Sequence, residues 1–229
     1  MNSQNKLFNL GYFPDPSLAG EDGLLAAGGT LDTKVLLEAY SRGIFPWYSA
    51  DSPVLWWSPG PRMILFPESL KVSKSLSQAI RNTDYQVRLD TAFTEVMQNC
   101  AKQPRPGQEG TWISKEMIDA YVRLHEQGYA HSVEVFVHGK LVGGLYGVSL
   151  GRAFFGESMF HLKRDASKIA LHYLVNFARL HDFDFIDAQQ SSRHMQSLGA
   201  EDVSREKFLG LLERSIEKST LKGKWDRMV

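Results

Sequence analysis

Residues 131–160, HSVEVFVHGKLVGGLYGVSLGRAFFGESMF, decide the fold of this 229-residue chain. HSVEVFVH and LVGGLYGVSL alternate apolar with polar residues on either side of a two-residue break, Gly139-Lys140. That pattern predicts a β-hairpin, because a glycine supplies the positive φ of a tight hairpin turn. RAFFGESMF reads as a third strand, DASKIALHYLVNFARLHD (165–182) as a long helix and FDFIDAQ (183–189) as a further strand. Hairpin, strand, helix, strand is an α+β order in which a helix crosses over between neighbouring strands.

Outward from this core the signals continue. LDTKVLLEAYSRG (31–43) reads as a short helix started by Asp32 or Thr33 and ended by Gly43. MILFP predicts a strand, VSKSLSQAIRN a helix, YQVRLD a strand, and TAFTEVMQNCA a helix capped by Asp90. KQPRPGQEGTW (102–112) reads as a loop, SKEMIDAYVRLHEQG as a helix capped by Ser114, and SREKFLGLLERSIEKS as a closing amphipathic helix. The first 60 residues are loop-rich, and the texture changes at Arg62. Just before it, IFPWYSADSPVLWWSPGPRMILFP (44–67) holds three of the five tryptophans and five of the nine prolines. Proline breaks both helix and ladder, so this segment is expected to be an ordered loop wrapping a substrate, a domain interface or both.

Lys+Arg and Asp+Glu both number 26, so no whole-molecule field advertises nucleic acid or membrane. The single cysteine, Cys100, excludes an intrachain disulfide and is expected in the core. No apolar run reaches membrane-spanning length and the N-terminus lacks a signal pattern, so a cytoplasmic protein is expected. The seven histidines show no metal-ligand spacing.

Asp187 and Gln189 stand two apart on a strand, which sends both side chains to one face. Glu157 ends a neighbouring strand and can bring a second carboxylate there. The alternative is that the pair merely begins a loop. A local basic cluster, Lys71, Lys74, Arg81 and Arg88 against Asp84, is a candidate for phosphate contacts, with the lysine-rich tail after residue 217 next in line.

The strand order resembles the acyl-transfer core of the GCN5-related N-acetyltransferases. Those enzymes cradle coenzyme A pyrophosphate on a Gly-rich loop at a helix start. Here the corresponding stretch, FHLKRDASK, has no glycine, so coenzyme A is disfavoured. A closer resemblance rests on EDGLLAAGGTLD, AYSRGIFPWYS, LWWSPGPR, EGTWI, HSVEV, LVGGLYGVSLG, FFGESMF, ASKIAL and IDAQ…SLGA, which run in order over nearly the whole chain. Together they are similar to the leucyl/phenylalanyl-tRNA–protein transferase family.

The resemblance implies a small N-terminal domain (1–62) and an acetyltransferase-like domain with a mixed sheet (63–229). It implies transfer of Leu or Phe, less readily Met, from aminoacyl-tRNA to proteins with N-terminal Arg or Lys, marking them for degradation, with no cofactor and no metal. It makes Asp187, Gln189 and Glu157 catalytic and places Trp47, Trp112, Leu145, Phe154, Gly156 and Ser158 around the donor. Trp56 and Trp57 are expected to pin the small domain, and a monomer is expected. Other readings are a different acyl or aminoacyl transferase of that fold, or a non-enzymatic RNA- or peptide-binding module.

Overall fold

A computed structural model describes residues 10–49, 52–81, 84–103 and 111–228. Part of the expected 102–112 loop, residues 104–110, lies outside them. A small sheet comes first: β1 (Leu24–Ala27), α1 (Thr33–Ser41), β2 (Phe45–Pro46) and β3 (Leu55–Trp57), with strand order β1-β3-β2. The Trp/Pro segment is therefore more regular than expected. Its Pro46 is tolerated because β2 is an edge strand, where a missing N–H costs nothing. Trp56 fills the core of this sheet, 2 % exposed, edge-on to Phe13 and donating from Nε1 to Gly28 O at 2.9 Å.

The second sheet begins at β4 (Arg62–Leu65). Then come α2 (Lys74–Ile80), β5 (Tyr85–Leu89), α3 (Phe93–Ala101), α4 (Lys115–Glu126), β6 (Ala130–Val137), β7 (Lys140–Leu150) and β8 (Ala153–His161). The chain closes with α5 (Ala166–Leu180), β9 (Phe185–Gln189), α6 (Arg193–Ser197), β10 (Glu201–Val203) and α7 (Arg205–Ile216). The order β10-β4-β9-β8-β7-β6-β5 is antiparallel except for the parallel β8–β9 pair that α5 connects, so the sheet is mixed as expected. The hairpin turn falls on His138 and Gly139, both at positive φ (49° and 73°), one residue earlier than the sequence suggested. β6 is buried along its whole length because both faces are covered, α3 and α4 on one side and α5 on the other.

One cap differs from expectation. Asp90 does not cap α3. At φ 58° its carboxylate turns inward and accepts from Ser132 N and Trp225 N while pairing with His131. Glu134 takes over the α3 start, accepting from Thr91 and Ala92 backbone N–H groups. Cys100 is in the core.

Candidate active site

The parallel pairing of β8 and β9 stops at Phe155 and Asp187. Beyond that point the strands part, and a bulge sits on each side of the opening. On β8 the register against β7 slips between Ser158 and Gly156, leaving Glu157 as the extra residue. On β9 it slips against β4 between Asp187 and Gln189, and Gln189 sits at φ 63°. Bulges of this kind re-aim side chains beside sites. Gly147 makes the β8 bulge sterically feasible: a Cβ there would lie 2.1 Å from Phe155 O.

Two cavities meet in this opening. The smaller, about 210 Å³, has Phe45, Trp47, Trp112 and Gln189 in its wall. The larger, about 610 Å³, is predominantly apolar, with Leu145, Phe154, Leu171, Leu174 and Ile186 around it and Ser158, Ser192 and His194 at its polar parts. Gly156, Glu157, Ala188 and Gln190 line both. The structure thus gathers all nine expected catalytic and donor-binding residues on these walls. It divides them, though, with the tryptophans on one cavity and Leu145, Phe154 and Ser158 on the other. Trp57 donates to Trp47 O at 2.6 Å and so braces Trp47, a more local task than the expected pinning of a domain.

Asp187 is in the wall of the larger cavity, but its contacts differ from the expected pairing with the Gln189 side chain. Its two oxygens are gripped by Arg62, from Nε at 2.9 Å and Nη2 at 2.6 Å, and neither residue is exposed. The carboxylate touches Gln189 through the backbone, accepting its N–H at 2.8 Å. The left-handed φ of Gln189 breaks the strand's two-residue period and sends its amide elsewhere. Arg62 also donates to Gly43 O and lies between the Phe45 and Phe208 rings.

The Gln189 amide goes to Glu157: Nε2 donates to Oε1 at 2.8 Å. Tyr40 OH at 2.8 Å and Tyr121 OH at 3.1 Å are further donors to Glu157, and the two hydroxyls also lie within bonding reach of each other, so two phenolic protons serve three contacts. Burial raises the Glu157 carboxyl to about 7, against the lowering effect of these donors, with the nearby Asp187 charge adding to the rise. Burial first, then the Glu157 charge, pushes both tyrosines well above their ordinary range, so both stay phenols and donate.

Sequence reasoning missed Arg62, Tyr40 and Tyr121. Arg62 had a signal, a charge opening an apolar strand, which demands a buried partner. The tyrosines had none, since a tyrosine on a helix's inner face is ordinary core.

Lys71, Lys74, Arg81 and Arg88 are all exposed. Lys74 and Arg81 sit on α2 and its C-terminal end, whereas Arg88 lies on the edge strand β5 with its guanidinium over the Phe136 ring. In the tail, Lys218 pairs with Asp184 and Lys222 sits over Tyr129. Among the described residues no cluster of three His, Cys, Asp or Glu could hold a metal ion, and no helix is long and apolar enough to cross a membrane.

Comparison with known proteins agrees in register with this architecture. Two family models match the chain, "Leucyl/phenylalanyl-tRNA protein transferase N-terminal domain" over residues 29–60 and "Leucyl/phenylalanyl-tRNA protein transferase" over residues 64–213. A relative from Desulfatibacillum aliphaticivorans, named leucyl/phenylalanyl-tRNA–protein transferase, is 54% identical over 213 residues, 93% of this chain and 91% of its own. One of the same name from Chromobacterium violaceum is 52% identical over 216 residues, 93% and 92% of the two chains. Among solved structures, a GCN5-related N-acetyltransferase from Kribbella flavida superposes with a TM-score of 0.39 at 9% identity, covering 75% of this chain and 61% of that one. So loose a superposition carries no argument.

Proposed function

Since the chain belongs to the leucyl/phenylalanyl-tRNA protein transferase family, we propose that it transfers Leu or Phe, less readily Met, from aminoacyl-tRNA to the α-amino group of proteins with N-terminal Arg or Lys. The product would be marked for degradation. The reading includes a small unit (1–62), a transfer unit (63–229) and a cytoplasmic monomer. The change of sheet between β3, which ends at Trp57, and β4, which begins at Arg62, supports a boundary close by, slightly earlier than 62/63.

One observation carries the chemistry: Glu157, at about 7, lines both cavities where they join and holds the Gln189 amide. An aminoacyl ester is already activated, so the site has to bring an amine to it and handle protons. With Nε2 turned to Glu157, the planar amide leaves Gln189 Oε1 to accept from the incoming α-amine. An N-terminal ammonium has a pKa of about 7.7–8.0, close enough to Glu157 for a small uphill proton transfer. Glu157 takes that proton, and the neutral nitrogen attacks the ester carbonyl. The C–N bond forms, the C–O bond to ribose breaks, and the leaving oxygen takes the amine's second proton. Glu157 then releases its proton to water. Tyr40 and Tyr121 position the carboxylate, and Asp187 positions the Gln189 backbone.

In this reading the larger cavity takes the Leu or Phe side chain, with Leu145, Phe154, Gly156 and Ser158 in its wall. Trp47 and Trp112 offer flat surfaces for the terminal adenosine. Lys71, Lys74, Arg81 and Arg88 are the proposed phosphate contacts. Arg62 already neutralises Asp187, which disfavours it as the partner of the acceptor's Arg or Lys side chain.

The deciding experiment supplies radiolabelled Phe-tRNA with a protein bearing N-terminal Arg and a matched one bearing N-terminal Ala. Label on the Arg protein alone supports the whole reading, and label on neither, with wild-type folding intact, overturns it. A second expectation concerns pocket size. Leu145→Phe should cut kcat/KM for Phe-tRNA by 10- to 100-fold while sparing Leu-tRNA by comparison, since cavity fit discriminates by about 1–3 kcal/mol per methylene-scale change. An unaltered Phe/Leu ratio would place the donor side chain elsewhere.

A further inference from the structure

Outside the two cavities, a groove runs between α2 and the β8–α5 connection. Its walls are Ser75, Gln78, Ala79 and Arg81 on one side and Arg164 and Asp165 on the other. Arg164 is 90% exposed and reaches Asp165 only through Nε at 3.5 Å, so most of its fork is unused. Lys163 beside it is exposed too. Lys168, one turn into α5, places Nζ 3.1 Å from the other Asp165 oxygen. His194 lines the larger cavity, and burial first, then the Lys168 charge, lowers its affinity for a proton, so it offers a neutral imidazole there. Asp165 is the one anion among the groove's lining residues, and it is spent on holding Arg164 and Lys168 in place.

We propose that Arg81, Arg164, Lys168 and His194 form a phosphodiester track that lays down the single-stranded 3′ end of the RNA donor on its way into the cavities. This rests on the aminoacyl-tRNA reading above and deepens it. Three cations that lead to His194, on the cavity that joins the Trp47 and Trp112 walls, form the arrangement single-stranded nucleic acid needs: charge follows the backbone, and flat rings take the bases. Arginine suits the task because its fork meets phosphate oxygens two at a time. The track reaches the carboxyl ends of β8 and β9, where both cavities lie, so backbone and ester arrive at the same edge of the sheet. It also narrows the α2 cluster: Arg81 belongs to the groove, whereas Arg88 on β5 and Lys71 do not line it.

The test is the charge reversal Arg81→Glu/Arg164→Glu, at two exposed positions of the groove, in a variant that should melt like the wild type. Two donors are compared, Phe-tRNA and phenylalanyl-adenosine, which has the ester and base but no phosphate. The ratio of kcat/KM for Phe-tRNA to that for phenylalanyl-adenosine should fall at least tenfold. The slope of log K for Phe-tRNA binding against log salt should shrink by about 1.4, from two lost single-strand phosphate contacts. An unchanged ratio and slope overturn the track, as does a rise confined to the KM of the acceptor protein, which would mark an acidic-protein surface instead. Wild-type protein that binds Phe-tRNA but transfers from neither donor would overturn the transferase reading, and the slope lost in the double variant would still decide the track.

Discussion

Replacing Asp187 with alanine should destabilise the protein by about 3–5 kcal/mol, because it leaves the Arg62 guanidinium charged, buried and unpaired. For a chain of this size that corresponds to a fall in Tm of roughly 6–20 °C. Loss of transfer in this variant would therefore say little about chemistry. The informative variant is Arg62→Met/Asp187→Leu, in which two apolar side chains replace the ion pair. Buried pairs exchanged in this way commonly regain their stability. The double variant should melt within a few degrees of the wild type, yet transfer should stay at least 100-fold down. The reason is local: without the Asp187 oxygen, the Gln189 N–H has no acceptor, and the left-handed turn that aims its amide at Glu157 relaxes. Asp187→Ala melting within 3 °C of the wild type would refute the clamp. Full transfer in the double variant would show that Gln189 needs no such support.

The Arg62 clamp also shows where sequence reading stops. The hairpin, the third strand and the crossover helix were legible because each is set by local patterning: alternation, a glycine at positive φ, a helical period between strands. Trp47, Trp112, Leu145 and Phe154 were legible through their motifs as cavity residues, though not which cavity each would line. What could not be seen was which polar atom meets which. Strand periodicity predicted a shared direction for Asp187 and Gln189, but two bulges facing each other across the sheet opening override it. Bulges are set by neighbouring strands, and β4 lies 125 residues from Asp187 along the chain. Tyr40 and Tyr121, 81 residues apart, are joined only by the packing of α1 on α4. Likewise Asp90 had the sequence of a helix cap and became a buried anchor for Trp225, a partner 135 residues away. Local propensity loses where a distant donor offers a buried carboxylate more than a helix end does.

Glu157→Gln should separate function from stability. In the wild type the folded carboxyl titrates at about 7 against an ordinary 4.5, raised chiefly by burial. A carboxyl raised by folding favours the native state while protonated in it. Its stabilising contribution is intact below about pH 4.5 and is lost as pH climbs through 7, a swing of about 3 kcal/mol. Glutamine has no such swing. Relative to the wild type, Glu157→Gln should therefore gain about 3 kcal/mol between pH 4.5 and pH 8, read from urea midpoints at the two pH values. Glu134, which burial also raises to about 7, is present in both proteins and cancels from the difference. Above pH 7, where the wild-type carboxylate is ionised, kcat should fall by 10²- to 10⁴-fold, the usual size of a general-base contribution. The activity limb near pH 7 should vanish too, leaving only the limb of the acceptor amine. A variant that is more stable at neutral pH and nearly inactive would mean that the fold retains a destabilising charge because the proton transfer requires it. A stable variant with wild-type kcat would remove the base from Glu157 and leave the carboxylate as a bracket for Gln189.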